Sequence, residues 1–203
     1  MHAVVAAVVA FLIGSIPCSQ LAAGWRAGVD LRRVGSGTVS GTSLFRVTGF
    51  GPLAIAGVCD VAKGSVGPLL AGDRPALAAV CGGLAVAGHN WSPFLRGAGG
   101  RGISPALGAL LVQAWPGALV LLAGLVLGRL VHETALGSFV ADAALVPVTA
   151  ITYGPAGALA GACVVLPMLV KRALGNARPS DPSTRTYMHR LLYDNDPAVP
   201  GAA

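Results

Sequence analysis

Charge is what this sequence has least of. Only 11% of its 203 residues are charged, against about 25% in a soluble domain. So small a supply cannot coat a globular surface, which excludes an ordinary water-soluble fold and leaves an integral membrane protein. Aromatics are also scarce, at 5%. The four cysteines, Cys18, Cys59, Cys81 and Cys163, stand far apart in apolar stretches with no C-x-x-C. That spacing excludes a disulfide framework and a metal cluster and reads as small buried hydrophobes. No cofactor and no metal is therefore expected. The N-terminal "MHAVVAAVVAFLIGSIPCSQ" has no basic start and no A-x-A site, so it is expected to be a retained first helix rather than a cleaved signal.

What the chain does have is hydrophobic length. It is 54% hydrophobic, with mean hydropathy +0.72. Seven apolar segments stand out, at 2–24, 49–71, 76–95, 103–115, 117–131, 136–153 and 155–171. A full crossing needs about 20 apolar residues, so several are short, and 103–115 has the length of a half-helix. The 29 glycines suit closely packed helices whose contacts use small residues. The expected fold is all-α, with about seven transmembrane helices. The net charge of +6 fits loop orientation and anionic headgroups better than nucleic acid. With the N-terminus outside, the inner side collects Arg26, Arg32, Arg33, Arg46, Arg96, Arg101, Arg129, Lys171, Arg172, Arg178, Arg185 and Arg190, twelve of the 14 basic residues. The positive-inside rule thus predicts a cytoplasmic C-terminus. Residues 1–175 form the membrane unit. Residues 176–203 form a polar tail with Pro179, Pro182, Pro197 and Pro200, expected to be extended apart from an amphipathic piece around Tyr187–Tyr193.

In this topology two glycine-rich stretches fall on the inner side. "RRVGSGTVSGTSLFR" (32–46) offers Gly35, Gly37 and Gly41, the hydroxyls of Ser36, Thr38, Ser40, Thr42 and Ser43, and Arg46. "RGAGGRG" (96–102) offers Gly97, Gly99, Gly100, Gly102 and Arg101. Glycine backbone N–H groups form nests for phosphate oxygens, and arginine grips a phosphate with two N–H groups. Two such loops on one face describe an anion site for two phosphates, though a plain hinge uses the same residues. Neither is a dinucleotide fingerprint or a Walker A loop. "GHNWSP" (88–93) brings His89 and Asn90 to the inner end of the third segment. "CDVAKG" (59–64) buries Asp60 and Lys63 three residues apart on one helix face. Ionisable groups in a span face a partner or a cavity, so this is either a neutralised structural pair or part of the site. His89 reads either as a substrate-orienting or general-base group, or as a helix-end residue bonded to a carbonyl.

These stretches resemble, in order, the three motifs of the bacterial acyl-phosphate:glycerol-3-phosphate acyltransferase family. The first is "GSIP" (14–17) followed by "GVDLRRVGSGTVSGTSLFR" (28–46). The second is "DVAKGSVGP" (60–68), and the third is "GHNWSPFLRGAGGRGISP" (88–105). The likeness covers most of residues 10–175. The chain departs from the pattern where Thr38 and Ser43 replace asparagines and Arg101 replaces a lysine. Near the end of the last helix it keeps Arg172 but shows no clear Asn or His.

The resemblance implies a multi-pass protein of the bacterial cell membrane with its active site on the cytoplasmic side. Its partners would be acyl phosphate, glycerol 3-phosphate and membrane lipids. The implied reaction is attack of the sn-1 hydroxyl on the acyl-phosphate carbonyl, giving lysophosphatidic acid for phospholipid synthesis. Ser36, Arg46, His89 and Arg101 are the implied catalytic residues. Gly35, Gly37, Thr38, Thr42, Ser43, Asp60, Lys63, Gly64, Asn90, Gly99, Gly100 and Gly102 are the implied substrate-binding residues. The alternatives are a diverged paralogue with another acceptor or no activity, and a transporter of a small phosphorylated solute. Against the transporter, no inverted repeat is evident.

Overall fold

The computed structural model describes residues 2–35, 37–179 and 181–197. Among these residues nine helices run in chain order: α1 (Ala3–Gly14), α2 (Cys18–Ala27), α3 (Gly41–Thr48), α4 (Phe50–Ala71), α5 (Pro75–Asn90), α6 (Ile103–Gln113), α7 (Trp115–Leu130), α8 (Thr134–Leu174) and α9 (Thr184–Tyr193). Short 3-10 turns occupy Leu31–Arg33 and Pro93–Leu95, and there is no strand among the described residues. Three stretches are long and apolar enough to cross a membrane: Ala3–Ala27, Phe50–Ala71 and Thr134–Leu174.

Local chemistry sets these boundaries. Pro17 lacks the N–H that would continue α1, so the first stretch breaks into α1 and α2. Gly154, at φ 61° and ψ −147°, reverses α8 just before Pro155. Its two arms pack antiparallel, because a Cβ on Gly161 would stand 2.5 Å from Thr149 Oγ1 and one on Gly157 would strike the Thr149 carbonyl. The pair Thr134–Tyr153 and Pro155–Leu174 matches the two last apolar segments. α6, at 11 residues, rises only about 17 Å, roughly half a hydrocarbon core, as its length in sequence suggests.

Glycine lets these helices touch backbone to backbone. A Cβ on Gly64 would collide with the Pro105 carbonyl, and one on Gly108 with that of Val61, so α4 and α6 pack without side chains between them. Val86, Leu110, Leu121, Leu145, Val164 and Met168 fill the core where α5 to α8 meet. Ile55, Val58, Leu130 and Ile151 point outward and are exposed.

At one end of the bundle the backbone is irregular and yet buried. Asn90 and Ser92 are almost fully enclosed, and their segment is satisfied internally: Ser92 Oγ donates to the Ser15 carbonyl at 2.7 Å, and Gly97 N to the Ser92 carbonyl at 2.9 Å. Non-helical backbone at membrane depth survives only under such conditions. The tail differs from an extended strand of polar chain. Ser183 caps α9 by accepting from Thr186 N, and α9 docks on the end of α8, burying Thr186 and Arg190. Its position coincides with the amphipathic stretch seen in the sequence.

Candidate active site

The opening stretch is half loop and half helix. Gln20 fixes its start, accepting from Leu31 N at 2.9 Å and donating to the Val29 carbonyl at 3.2 Å. Asp30 caps the first turn, and the Arg32 guanidinium bonded to it draws its carboxyl down to about 2. Gly35 and Gly37 take left-handed φ of 56° and 69°. Helix α3 then begins where Ser40 accepts from Ser43 N, a hydroxyl N-cap. Ser43 Oγ also donates to the Thr38 carbonyl at 2.8 Å. Thr38 is buried, Thr42 is exposed on the first turn, and Arg46 is exposed on the last turn, with no hydrogen bond or ion pair to a described residue. Ser36 lies outside the described residues.

The second glycine loop lies directly on the first. Val39 N donates to the Gly99 carbonyl at 3.1 Å, and Gly100 N to the His89 carbonyl at 3.2 Å. A Cβ on Gly99 would strike the His89 and Asn90 carbonyls, and one on Gly100 would strike His89 Nε2, so only glycine lets the loop rest on the imidazole. Gly102, at φ 83°, starts α6 beside Asn90, whose amide donates to the Pro167 carbonyl at 2.8 Å. Arg101 leaves the loop toward the tail. Its Nη1 donates to the Lys171 carbonyl at 3.0 Å, and its Nε stands 2.7 Å from Asp194 Oδ1.

Beneath the loops is a buried cluster. Lys63 Nζ is 2.7 Å from Asp60 Oδ1, 2.6 Å from the Ile16 carbonyl and 3.0 Å from His89 Nδ1. Lys63 and Asp60 are 5% and 4% exposed, so each charge depends on the other. An ammonium can only donate, so Nδ1 accepts and the imidazole proton sits on Nε2. His89 therefore presents an N–H beside Gly100. A small cleft opens there, lined by Pro17, Ser19, Val39, His89, Gly99 and Gly100 among others.

Two residues of this arrangement escaped the sequence reading. Asn176 Nδ2 donates to the carbonyls of Gly37 and Gly99, both at 2.9 Å, and its Oδ1 accepts from Gly99 N at 3.2 Å. One side chain thus staples both glycine loops. It sits just past the helix-ending Gly175, outside the last helix itself; the Gly-Asn pair after an apolar run is its one signal in the sequence. Lys171, 1% exposed, lies 5.3 Å over the Trp91 ring and reaches toward the Gly97 carbonyl at 3.5 Å.

Of the residues singled out in sequence, Gly37, Thr38, Gly99, Gly100, His89, Lys63 and Asp60 come together around the cleft and its floor. Gly35 stands at the outer bend of the first loop. Gly64 is a point of contact between α4 and α6, and Asn90 and Gly102 join α5 to its neighbours. Thr42 and Arg46 lie on the exposed side of α3, and Arg101 is engaged by the tail.

Comparison with known proteins gives one answer. Residues 4–178 match the family model described as glycerol-3-phosphate acyltransferase. A glycerol-3-phosphate acyltransferase of Synechococcus sp. (strain CC9902) is 34% identical over 93% of this chain and 91% of its own length. One from Dehalococcoides mccartyi (strain ATCC BAA-2266 / KCTC 15142 / 195), numbered 5, is 39% identical over 70% of this chain, and the match spans 62% of that relative. Among solved structures, PlsY (YgiH), an integral membrane glycerol 3-phosphate acyltransferase in its glycerol 3-phosphate form, superposes with TM-score 0.78 at 24% identity, covering 97% of this chain and 95% of that one. That likeness establishes the fold.

Proposed function

The chain belongs to the glycerol-3-phosphate acyltransferase family, and from that premise we propose that it moves an acyl group from acyl phosphate to the sn-1 hydroxyl of glycerol 3-phosphate. The hydroxyl oxygen forms the new ester bond, the carbonyl–phosphate bond breaks, and the products are lysophosphatidic acid and inorganic phosphate. The observation that carries this reading is the double glycine loop, stapled by Asn176 and seated on the Lys63–His89 pair. An acyl phosphate is already activated, so the protein's work is to hold two anions in line and meet the charge that develops on the carbonyl oxygen.

The parts divide accordingly. The N–H groups of Gly35, Arg101 and Gly102, with the hydroxyls of Ser36 and Thr42, supply donors to phosphate, while those of Gly37, Gly99 and Gly100 and the Ser43 hydroxyl hold the two loops in shape. Arg46 and Arg101 supply cationic grip. His89 acts as an Nε2–H donor that orients substrate, with Lys63 and Asp60 fixing its tautomer from below. The departing phosphate or the acceptor's own phosphate takes the hydroxyl proton. No cofactor enters the reaction. The acyl tail lies between helices, and the site faces the cytoplasm of a bacterial cell membrane crossed seven times.

The donor claim has a direct test. Purified protein in detergent should acylate labelled glycerol 3-phosphate from acyl phosphate with stoichiometric release of inorganic phosphate. Acyl-CoA should give little product, because the described structure has only short loops at this end and no groove for a nucleotide carrier. Equal rates from both donors would refute the donor assignment, and no turnover with either would refute acyl transfer.

A further inference from the structure

Resting on the acyl-transfer reading, we propose that the C-terminal tail is a working part of the site: Asp194, at the end of α9, is a positioning residue that orients the Arg101 guanidinium for a substrate phosphate. The family model's match ends at residue 178, although the superposed solved structure covers 97% of this chain. Helix α9 is anchored firmly to the bundle. Arg172 Nη1 donates to the Leu191 carbonyl at 3.2 Å and to that of Ala135 at 2.7 Å. Arg190 Nη1 donates to the carbonyls of Leu174 and Ala177 at 2.8 and 3.2 Å, while its Nε pairs with Asp196. Arg190 is 6% exposed. These bonds run to backbone on both sides of Gly175, so the end of α9 is held against the segment that carries Asn176.

The residue that caps that anchored helix carries a carboxylate. Asp194 takes the left-handed conformation, φ 59°, with its N–H bonded to the Arg190 carbonyl. Glycine is the usual occupant of such a cap, and a side chain kept there points to a use for it. That side chain forms an ion pair with Arg101, Oδ1 to Nε at 2.7 Å without hydrogen-bond alignment, while Nη1 is held by the Lys171 carbonyl. Nη2 makes no hydrogen bond to a described residue and remains free to donate. Arg101 stands where the resembling motif has lysine. A lysine ammonium needs no orientation, whereas a planar guanidinium does; here the hydrogen bond from Nη1 to the Lys171 carbonyl and the charge of the tail carboxylate beside Nε hold it in place. A carboxylate that competed with substrate would instead be expected to take Nε and Nη2 together, as Asp196 does on Arg190; here Nη2 is open.

The test compares wild type, Asp194→Asn, Asp194→Glu, Arg101→Lys and the double variant Asp194→Asn/Arg101→Lys, in the assay above and in thermal denaturation in detergent. Asp194→Asn should raise KM for one of the two phosphate substrates at least about fivefold, with kcat changed less and the melting temperature near wild type. Asp194→Glu should recover most of that loss. In the Arg101→Lys background Asp194→Asn should add nothing, since there is no plane left to orient. A lower KM in Asp194→Asn would overturn the proposal in favour of a competing latch. Unchanged kinetics, a loss that tracks melting temperature alone, or additive effects in the double variant would overturn it as well, with acyl transfer by the wild type intact. An inactive wild type would sink the acyl-transfer reading and this one with it.

Discussion

At the residue scale the decisive group is Lys63, whose ammonium is shared by Asp60, His89 and a main-chain carbonyl in a nearly water-free place. Removing one charge of a buried pair strands the other and costs about 3–5 kcal/mol, whereas replacing both by neutral groups costs far less. Lys63→Met and Asp60→Asn should therefore each lower the melting temperature in detergent sharply, and the double variant should recover much of the loss. Acyl transfer should not recover, because the His89 tautomer loses its support. If the double variant is both stable and active, the pair is structural only. Arg46 has the opposite character. It is exposed and unpaired among the described residues, so Arg46→Lys should leave folding untouched, yet lose most activity if two of its N–H groups grip phosphate. Full activity in Arg46→Lys would remove it from the site. These two behaviours were only partly legible in sequence. The spacing of Asp60 and Lys63 showed a shared helix face, but nothing local tells that the third member is His89, 26 residues on.

At the scale of elements, the glycine loops work as one unit because a third segment ties them. Asn176 makes three hydrogen bonds across them. Asn176→Ala leaves the Gly37 carbonyl without its donor and the Gly99 N–H without its acceptor and should cost about 1–3 kcal/mol. Asn176→Asp keeps the shape but turns a donor into an acceptor facing two carbonyls, so it should be worse than Ala in both melting temperature and turnover. An Asp variant as good as wild type would show that the staple is dispensable. Both glycine stretches are legible in sequence because glycine, serine and arginine are conspicuous in an apolar chain. Composition makes 32–46 look like continuous loop, however, while α3 starts at Gly41, since the capping role of Ser40 depends on where the chain turns. It also passes over Asn176, whose meaning arises only when residues 37, 99 and 176 meet. The tail shows the same limit: its prolines and polar residues argued for extended chain, and the arginine-to-carbonyl bonds that dock α9 carry no sequence signature.

At the scale of the whole molecule, the helix order supports a specific arrangement in a bilayer. The apolar segments seen in sequence correspond to Ala3–Ala27, α4, α5, α6, α7 and the two arms of α8 on either side of Gly154. Length explains why only three stretches stand out as full spans: α5, α6 and α7 have 16, 11 and 16 residues and depend on neighbours to cover their ends. The hydrogen bonds between Val39 and Gly99, and between Asn176 and both loops, require 28–40, 91–102 and 175–179 to share one end. The turn at Gly72–Arg74 between α4 and α5 then falls at the other end, as does the reversal at Gly154. Because the basic residues concentrate at the first of these ends, that end should face the cytoplasm. Single cysteines introduced at Arg33, Arg185 and Asp73, in a background with Cys18, Cys59, Cys81 and Cys163 replaced, can be labelled in intact cells with a membrane-impermeant maleimide. Positions 33 and 185 should stay unlabelled until the cells are opened, and position 73 should label from outside. Labelling of 33 and 185 from outside would invert the topology while keeping the shared site. Labelling that separates 33 from 185 would break the site itself, since the two glycine loops and the tail would then lie in different compartments.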